Sequence, residues 1–193
     1  LTPGEVEYYR DAVMTLQREW EASPSEERSG GDLFSQMVNV WRSDEILKKL
    51  TFHPNLAGVA AKLSGLSLRL WHDHILIKRP HNNVPTEFHQ DQPYWPHADR
   101  GVLNPLSAWI ALVDVPVERG CMTFNPKSYN RKNLDPQNLR DPRSLFDLVP
   151  EMEWEPRVTL PLKAGDCTFH HGRCAHMANA NTTDEYRIAH VII

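Results

Sequence analysis

The chain has 193 residues, with 21 Lys and Arg against 25 Asp and Glu and a formal net charge of −4. That length suits one hydrophobic core and is short for two, so one domain over 1–193 is expected. The mildly acidic balance, with no long Lys/Arg run, excludes a nucleic-acid-binding surface, and no apolar run reaches the ~20 residues of a membrane span.

Three cysteines, Cys121, Cys167 and Cys174, form an odd set without the spacing of a disulfide framework or a zinc motif. This favours a reducing compartment, and with no secretory pattern at the start the expected location is cytoplasmic. Nothing in the sequence specifies an oligomeric state. Ten histidines are the unusual feature of the composition.

In chain order, Thr2-Pro3-Gly4-Glu5 reads as an N-cap, a Pro at the first helical position and a capping-box Glu. Val6, Tyr9, Val13, Leu16 and Trp20 follow at helical spacing. A polar stretch from Glu21 to Asp32 with a Gly pair reads as a loop, and Phe34 to Trp41 as a short extended piece. Ser43 is the expected cap of a helix through Leu50, and Pro54 opens another that stops at Gly65. Residues 1–65 thus form a helical N-terminal part.

From Leu66 the apolar period changes to two. Strands are predicted over Leu68–Lys78, Glu87–Asp91, Ser107–Val115, Cys121–Asn125, Arg157–Leu162, Cys167–His171 and Tyr186–Ile193. Helices followed by many short strands give an α+β, mainly β class. A jelly-roll or cupin-like β core over 66–193 is expected, with the helices packed on it. The segment from about 126 to 156 has many Pro and little period, and reads as a lid or substrate loop with a helical turn near Arg143–Leu148. Lys127, Arg131, Lys132, Arg140 and Arg143 make it basic, which reads first as a solvated loop and second as a contact for an anionic substrate.

Chemistry concentrates in Phe88-His89-Gln90-Asp91. In an extended segment His89 and Asp91 share a face, so both reach one metal, and His176 offers a third ligand from the distal half. Two His and one carboxylate suit non-haem Fe(II) oxygen chemistry. Two rivals exist: His97-Ala98-Asp99, among loop residues, and His72-Asp73-His74, whose imidazoles share a strand face and read more simply as lining a pocket. Spacing alone leaves His89/Asp91 level with a buried, hydrogen-bonded His beside a carboxylate. Arg187, eleven residues after His176 in an apolar strand, shifts the balance. A guanidinium there is costly to bury unless a carboxylate meets it, either an internal one such as Asp184 or Glu185 or that of a ligand.

Taken together, Ile77-Lys78-Arg79-Pro80, His89-Gln90-Asp91-Gln92-Pro93-Tyr94-Trp95, Ser107-Ala108-Trp109-Ile110-Ala111-Leu112, Gly120-Cys121-Met122, Gly165-Asp166, His176, Asn181 and Arg187 form an ordered set. This set resembles the phytanoyl-CoA dioxygenase family of Fe(II)- and 2-oxoglutarate-dependent oxygenases, from about Phe34 onward. The resemblance implies a double-stranded β-helix. It implies His89, Asp91 and His176 as iron ligands, Arg187 as the anchor of the cosubstrate's distal carboxylate, and Trp109 and His74 as walls of the cosubstrate pocket. It further implies a small-molecule substrate and O2 consumption, with release of succinate and CO2. Halogenating relatives are expected to lack the carboxylate ligand, because chloride takes its place, so Asp91 predicts hydroxylation. The sequence departs from the family at His74, often Met, and near Met37, where some members carry Lys. It also has Pro126-Lys127-Ser128-Tyr129 for a frequent Pro-Gly-Ser-His, which predicts a different turn. Competing readings are a non-catalytic metal-dependent carboxylate sensor and a cupin-type metalloenzyme without 2-oxoglutarate, in which Arg187 would pair internally. Tyr94, Trp95 and Trp71 are expected to pack between sheets or wall the pocket.

Overall fold

The computed structural model describes residues 1–23, 33–96 and 105–193. Helix α1 spans Pro3–Ala22 and starts as the sequence predicts: Thr2 Oγ1 accepts from the Glu5 N–H, and a Glu5 carboxylate oxygen accepts from the Thr2 N–H at 2.7 Å. Its buried face carries Val6, Tyr9, Ala12, Val13 and Gln17. Helix α2 covers Glu45–Thr51. Its cap is Asp44, not Ser43: the Asp44 carboxylate accepts from the Ile46 and Leu47 N–H groups at 2.8 Å each, and its negative charge favours the helix N-terminus. Helix α3, Pro54–Ser64, ends at Gly65 with a left-handed φ of 66°.

Nine strands follow or intervene among the described residues: β1 Ser35–Val38, β2 Asp73–Lys78, β3 Thr86–His89, β4 Leu106–Ala111, β5 Met122–Phe124, β6 Val158–Leu160, β7 Cys167–His171, β8 His176–Ala178 and β9 Arg187–Ile192. All their pairings are antiparallel, in a five-stranded sheet of order β1-β2-β9-β4-β7 and a four-stranded sheet of order β3-β8-β5-β6. This is the mainly β, two-sheet core expected for a double-stranded β-helix. Most strands are shorter than predicted, and β8 lies between two predicted strands, where none was foreseen.

Cross-strand partners share a face. In the larger sheet, Val38, His74, Val191, Trp109 and Thr168 form one row; Arg187, Ser107 and His170 lie on the same face. This is the inner face, turned toward the smaller sheet. The opposite face, with Ile75, Ile77, Ile110, Ile188 and His190, joins the main core with Leu47 and Leu50 of α2 and Tyr9 and Val13 of α1. A buried polar tie crosses that layer: Thr51 Oγ1 donates to Asp73 at 2.6 Å and lies 3.0 Å from His190 Nε2.

The later part of residues 126–156 packs on the β core. Helix α4, Ser144–Leu148, supplies Leu145 and Phe146, which join Val149 and Met152 against Phe88 and Ala175 on the outer face of the smaller sheet. Two of the five basic residues in 126–156 pair with acids of the same segment, Arg131 with Glu151 and Glu155 and Arg143 with Asp147 and Glu153. The turn at Lys127 also differs from expectation: its φ of 68° is the left-handed conformation that glycine adopts freely, so Lys there keeps a glycine-type turn.

Candidate metal centre

β3 and β8 pair so that His89 and His176 are direct cross-strand partners, with ring centroids 4.5 Å apart. Alternation sends Phe88 and Ala175 outward to the second cluster, which leaves both imidazoles pointing inward. Asp91 arrives by a different route from the one predicted. The strand ends at His89, and Asp91 has helical angles (φ −71°, ψ −39°) at the head of a 3-10 turn over Gln92–Tyr94. The turn, not a shared strand face, swings the carboxylate to the imidazoles: Asp91 Oδ1 is 3.4 Å from His89 Nε2 and 3.8 Å from His176 Nε2. One ligand atom from each of the three residues lies within 4.8 Å of the others.

The hydrogen bonds fix the tautomers. His89 Nδ1 donates to the Glu87 carbonyl at 2.7 Å and His176 Nδ1 to the Cys174 carbonyl at 2.9 Å, which leaves each Nε2 lone pair facing Asp91. Burial pushes the His176 pKa down to about 3. Burial pushes Asp91 upward, but the imidazoles of His176, His170 and His89 outweigh it and hold the carboxyl well below its usual range. A neutral imidazole and an ionised carboxylate are the forms a metal requires, and two nitrogens with one oxygen on one side of a cavity suit a divalent transition ion.

The inner face of the larger sheet completes the surroundings. Arg187 is 2% exposed, with its Cζ 5.4 Å from the Trp109 ring centroid. The acids proposed as its internal partners are engaged elsewhere, Asp184 with His81 at 2.7 Å and Glu185 with Arg119 at 2.8 Å. No carboxylate among the described residues pairs with Arg187, and burial lowers its pKa to about 10. Among the described residues, Arg187 Nε, His74 Nδ1, Ser107 Oγ, Thr168 Oγ1 and His170 Nδ1 are all buried without a hydrogen bond. Five such atoms on one sheet face are what an absent polar ligand would satisfy. A dicarboxylic keto acid fits this set, with a guanidinium for one end and hydroxyls beside it.

Of the sequence candidates, His89, Asp91 and His176 come together, while Arg187, Trp109 and His74 share the opposite wall. His72 lies beside His74, ring centroids 5.4 Å apart, without joining the three. His97 and Asp99 lie outside the described residues. Trp71 and Trp95 pack edge to face at 5.2 Å, and Gly172 admits Trp95: a Cβ there would stand 2.6 Å from the indole.

Ser107, Thr168 and His170 were missed in the sequence, although alternation along Cys167–His171 sends Thr168 and His170 to one face. Lys78, named in the sequence only as part of Ile77-Lys78-Arg79-Pro80, was given no role there. It is fully buried, and its Nζ donates to the carbonyls of Val84, Ala178 and Asn179, tying the end of β2 to the end of β8. Burial, and then the nearby Arg187 charge, push its pKa down to about 6.

A family model described as phytanoyl-CoA dioxygenase matches residues 1–189. A curated relative, phytanoyl-CoA dioxygenase domain-containing protein 1 of Danio rerio, is 26% identical over 150 residues, which are 75% of this chain and 50% of the relative. The chain therefore spans about half the length of the curated relatives it matches. Two crystal structures are more similar. One is SnoK, a non-heme alpha ketoglutarate dependent carbocyclase from nogalamycin biosynthesis, at 38% identity and TM-score 0.82. The other is the epimerase SnoN in complex with Fe3+, alpha ketoglutarate and nogalamycin RO, at 36% identity and TM-score 0.78. Each is covered over 100% of this chain, and over 75% and 74% of its own length respectively.

Proposed function

The chain belongs to the phytanoyl-CoA dioxygenase family, and from that premise we propose that it is an Fe(II)- and 2-oxoglutarate-dependent oxygenase acting on a small organic molecule. His89, Asp91 and His176 are the proposed iron ligands, and Arg187 the partner of the cosubstrate's distal carboxylate, with His74 and Trp109 beside it. Iron with 2-oxoglutarate and O2 would supply oxidative decarboxylation to succinate and CO2, coupled to abstraction of hydrogen from a substrate carbon. Arg187 fixes the register of the diacid, and the Trp109 ring supports the guanidinium from its face. The observation that carries this reading is the buried Arg187, with which no carboxylate among the described residues pairs.

A cavity of about 530 Å³ adjoins the segment around Asp91, lined by Gln90, Gln92, Trp95, Lys132, Leu134 and Arg173, and by none of the proposed iron ligands or of Arg187, Trp109 and His74. The proposed outcome is hydroxylation, since Asp91 occupies the position a halogenase would leave to chloride. A second outcome, ring closure or epimerisation, is favoured by what SnoK and SnoN are described as doing. Product analysis separates them: hydroxylation adds one oxygen atom, oxidative ring closure removes two hydrogens, and epimerisation leaves the mass unchanged.

The test is anaerobic addition of Fe(II) and 2-oxoglutarate, which is expected to give a visible charge-transfer band, followed by O2-dependent succinate formation that Asp91→Ala abolishes. Undiminished succinate production by Asp91→Ala would overturn the assignment. Fe(II) binding with no band and no turnover would favour a sensor or a cupin-type enzyme.

A further inference from the structure

We propose that His170 is a positioning residue of this centre, holding the Asp91 carboxylate by its outer oxygen so that the inner oxygen is presented to the metal. The proposal rests on the iron-site reading above.

The two carboxylate oxygens of Asp91 have different surroundings. Oδ1 faces the two imidazoles paired across β3 and β8, at 3.4 and 3.8 Å. Oδ2 faces His170 Nε2 from the other sheet, at 3.7 Å. His170 does not enter the set of atoms that meet within 4.8 Å, so it stands behind the carboxylate instead of beside the other ligands. A closure of under about 1 Å converts this contact into a hydrogen bond.

Asp91 needs such a support. His89 and His176 are anchored by a β ladder and by Nδ1 hydrogen bonds, whereas Asp91 lies past the end of its strand, and no backbone N–H among the described residues donates to its carboxylate. His170, by contrast, is rigidly placed. It sits in β7 opposite Ser107, 7% exposed, with its ring 4.8 Å from that of His176 and 5.3 Å from that of Phe124. Its Nδ1 has no hydrogen bond among the described residues, and its Nε2 is the nitrogen turned toward Asp91. A donor behind a ligating carboxylate fixes its orientation and favours binding through one oxygen, a common arrangement around metal ligands.

The experiment compares His170→Phe, which keeps a ring and loses the donor, with His170→Gln, which places an amide N–H near the former Nε2. Mn(II) affinity is measured without oxygen or substrate, and the charge-transfer band is recorded with Fe(II) and 2-oxoglutarate. His170→Phe is expected to bind Mn(II) about 10–100-fold more weakly and to shift the band. His170→Gln is expected to recover most of the affinity. Should the Phe variant not fold, His170→Met against His170→Gln gives the same comparison at similar volume. Wild-type affinity and an unshifted band in a folded variant lacking the donor would overturn the proposal. So would equal loss in the Gln variant, which would mark His170 as packing only. Failure of the wild-type protein itself to bind Mn(II) would instead strike at the iron-site reading.

Discussion

Replacing Arg187 with Met is expected to change stability and cosubstrate binding in opposite directions. The guanidinium is 2% exposed, and burial lowers its pKa from 12.5 to about 10. At about 1.4 kcal/mol per pKa step, that fall corresponds to roughly 3 kcal/mol spent on burying a charge. The sign follows from the direction: a base whose folded pKa is depressed costs the native state wherever pH lies below that pKa, hence at neutrality. Removing it also loses the contact with Trp109, worth about 1 kcal/mol. The ligand-free protein should therefore gain about 2 kcal/mol, seen in urea denaturation followed by tryptophan fluorescence. Binding should move the other way: loss of two charge-assisted hydrogen bonds removes about 3–4 kcal/mol, or about 10²–10³ in 2-oxoglutarate affinity read from the charge-transfer band. Arg187→Lys should keep the stability cost and recover little affinity, because an ammonium lacks the planar fork. A ligand-free Arg187→Met protein less stable than wild type, with 2-oxoglutarate affinity unchanged, would refute the reasoning and return Arg187 to a structural role.

Two further outcomes follow from the segment around 126–156. Leu145, 1% exposed in the cluster with Phe88 and Met152, should cost about 2–5 kcal/mol when truncated to Ala; a loss below about 0.5 kcal/mol in urea denaturation would mean the cluster does not hold this segment down. Lys127→Gly should stabilise by up to about 1 kcal/mol, since release of a left-handed side chain outweighs the added chain entropy; a lower melting temperature would show that the Lys127 side chain contributes more than its backbone costs.

The features legible in the sequence were those with local causes. The capping box at Thr2 and Glu5 and the left-handed stop at Gly65 need no distant partner, and both helix ends fall where predicted. His89 and Asp91 meet, but through a turn that period-two reasoning does not contain. Strand β8 was illegible because three residues carry no alternation, and its existence depends on pairing with β3 and β5. In 126–156 the helical turn predicted near Arg143–Leu148 is α4, Ser144–Leu148, but that Leu145, Phe146, Val149 and Met152 form a buried cluster was hidden by the surrounding Pro and charge. His170 was hidden by its neighbour: in His170-His171 either ring could face inward, and only the register of β7 on β4 decides. Lys78 reads as an ordinary strand end, because two of the three carbonyls that receive it lie about a hundred residues away.

The direct pairing of His89 with His176 has a consequence for how the protein acquires its structure. The partners are 87 positions apart, and the other wall, on β2, β4 and β9, closes over comparable distances. No fragment made from one stretch of chain presents the ligand set, so the centre appears only after the slow, long-range steps of folding are complete. A metal that binds this centre thus binds the finished fold and stabilises all of it, by about 2.7 kcal/mol when present at a hundred times its Kd. Resistance to unfolding then becomes a direct readout of occupancy, with the bound ion acting as the last step in folding.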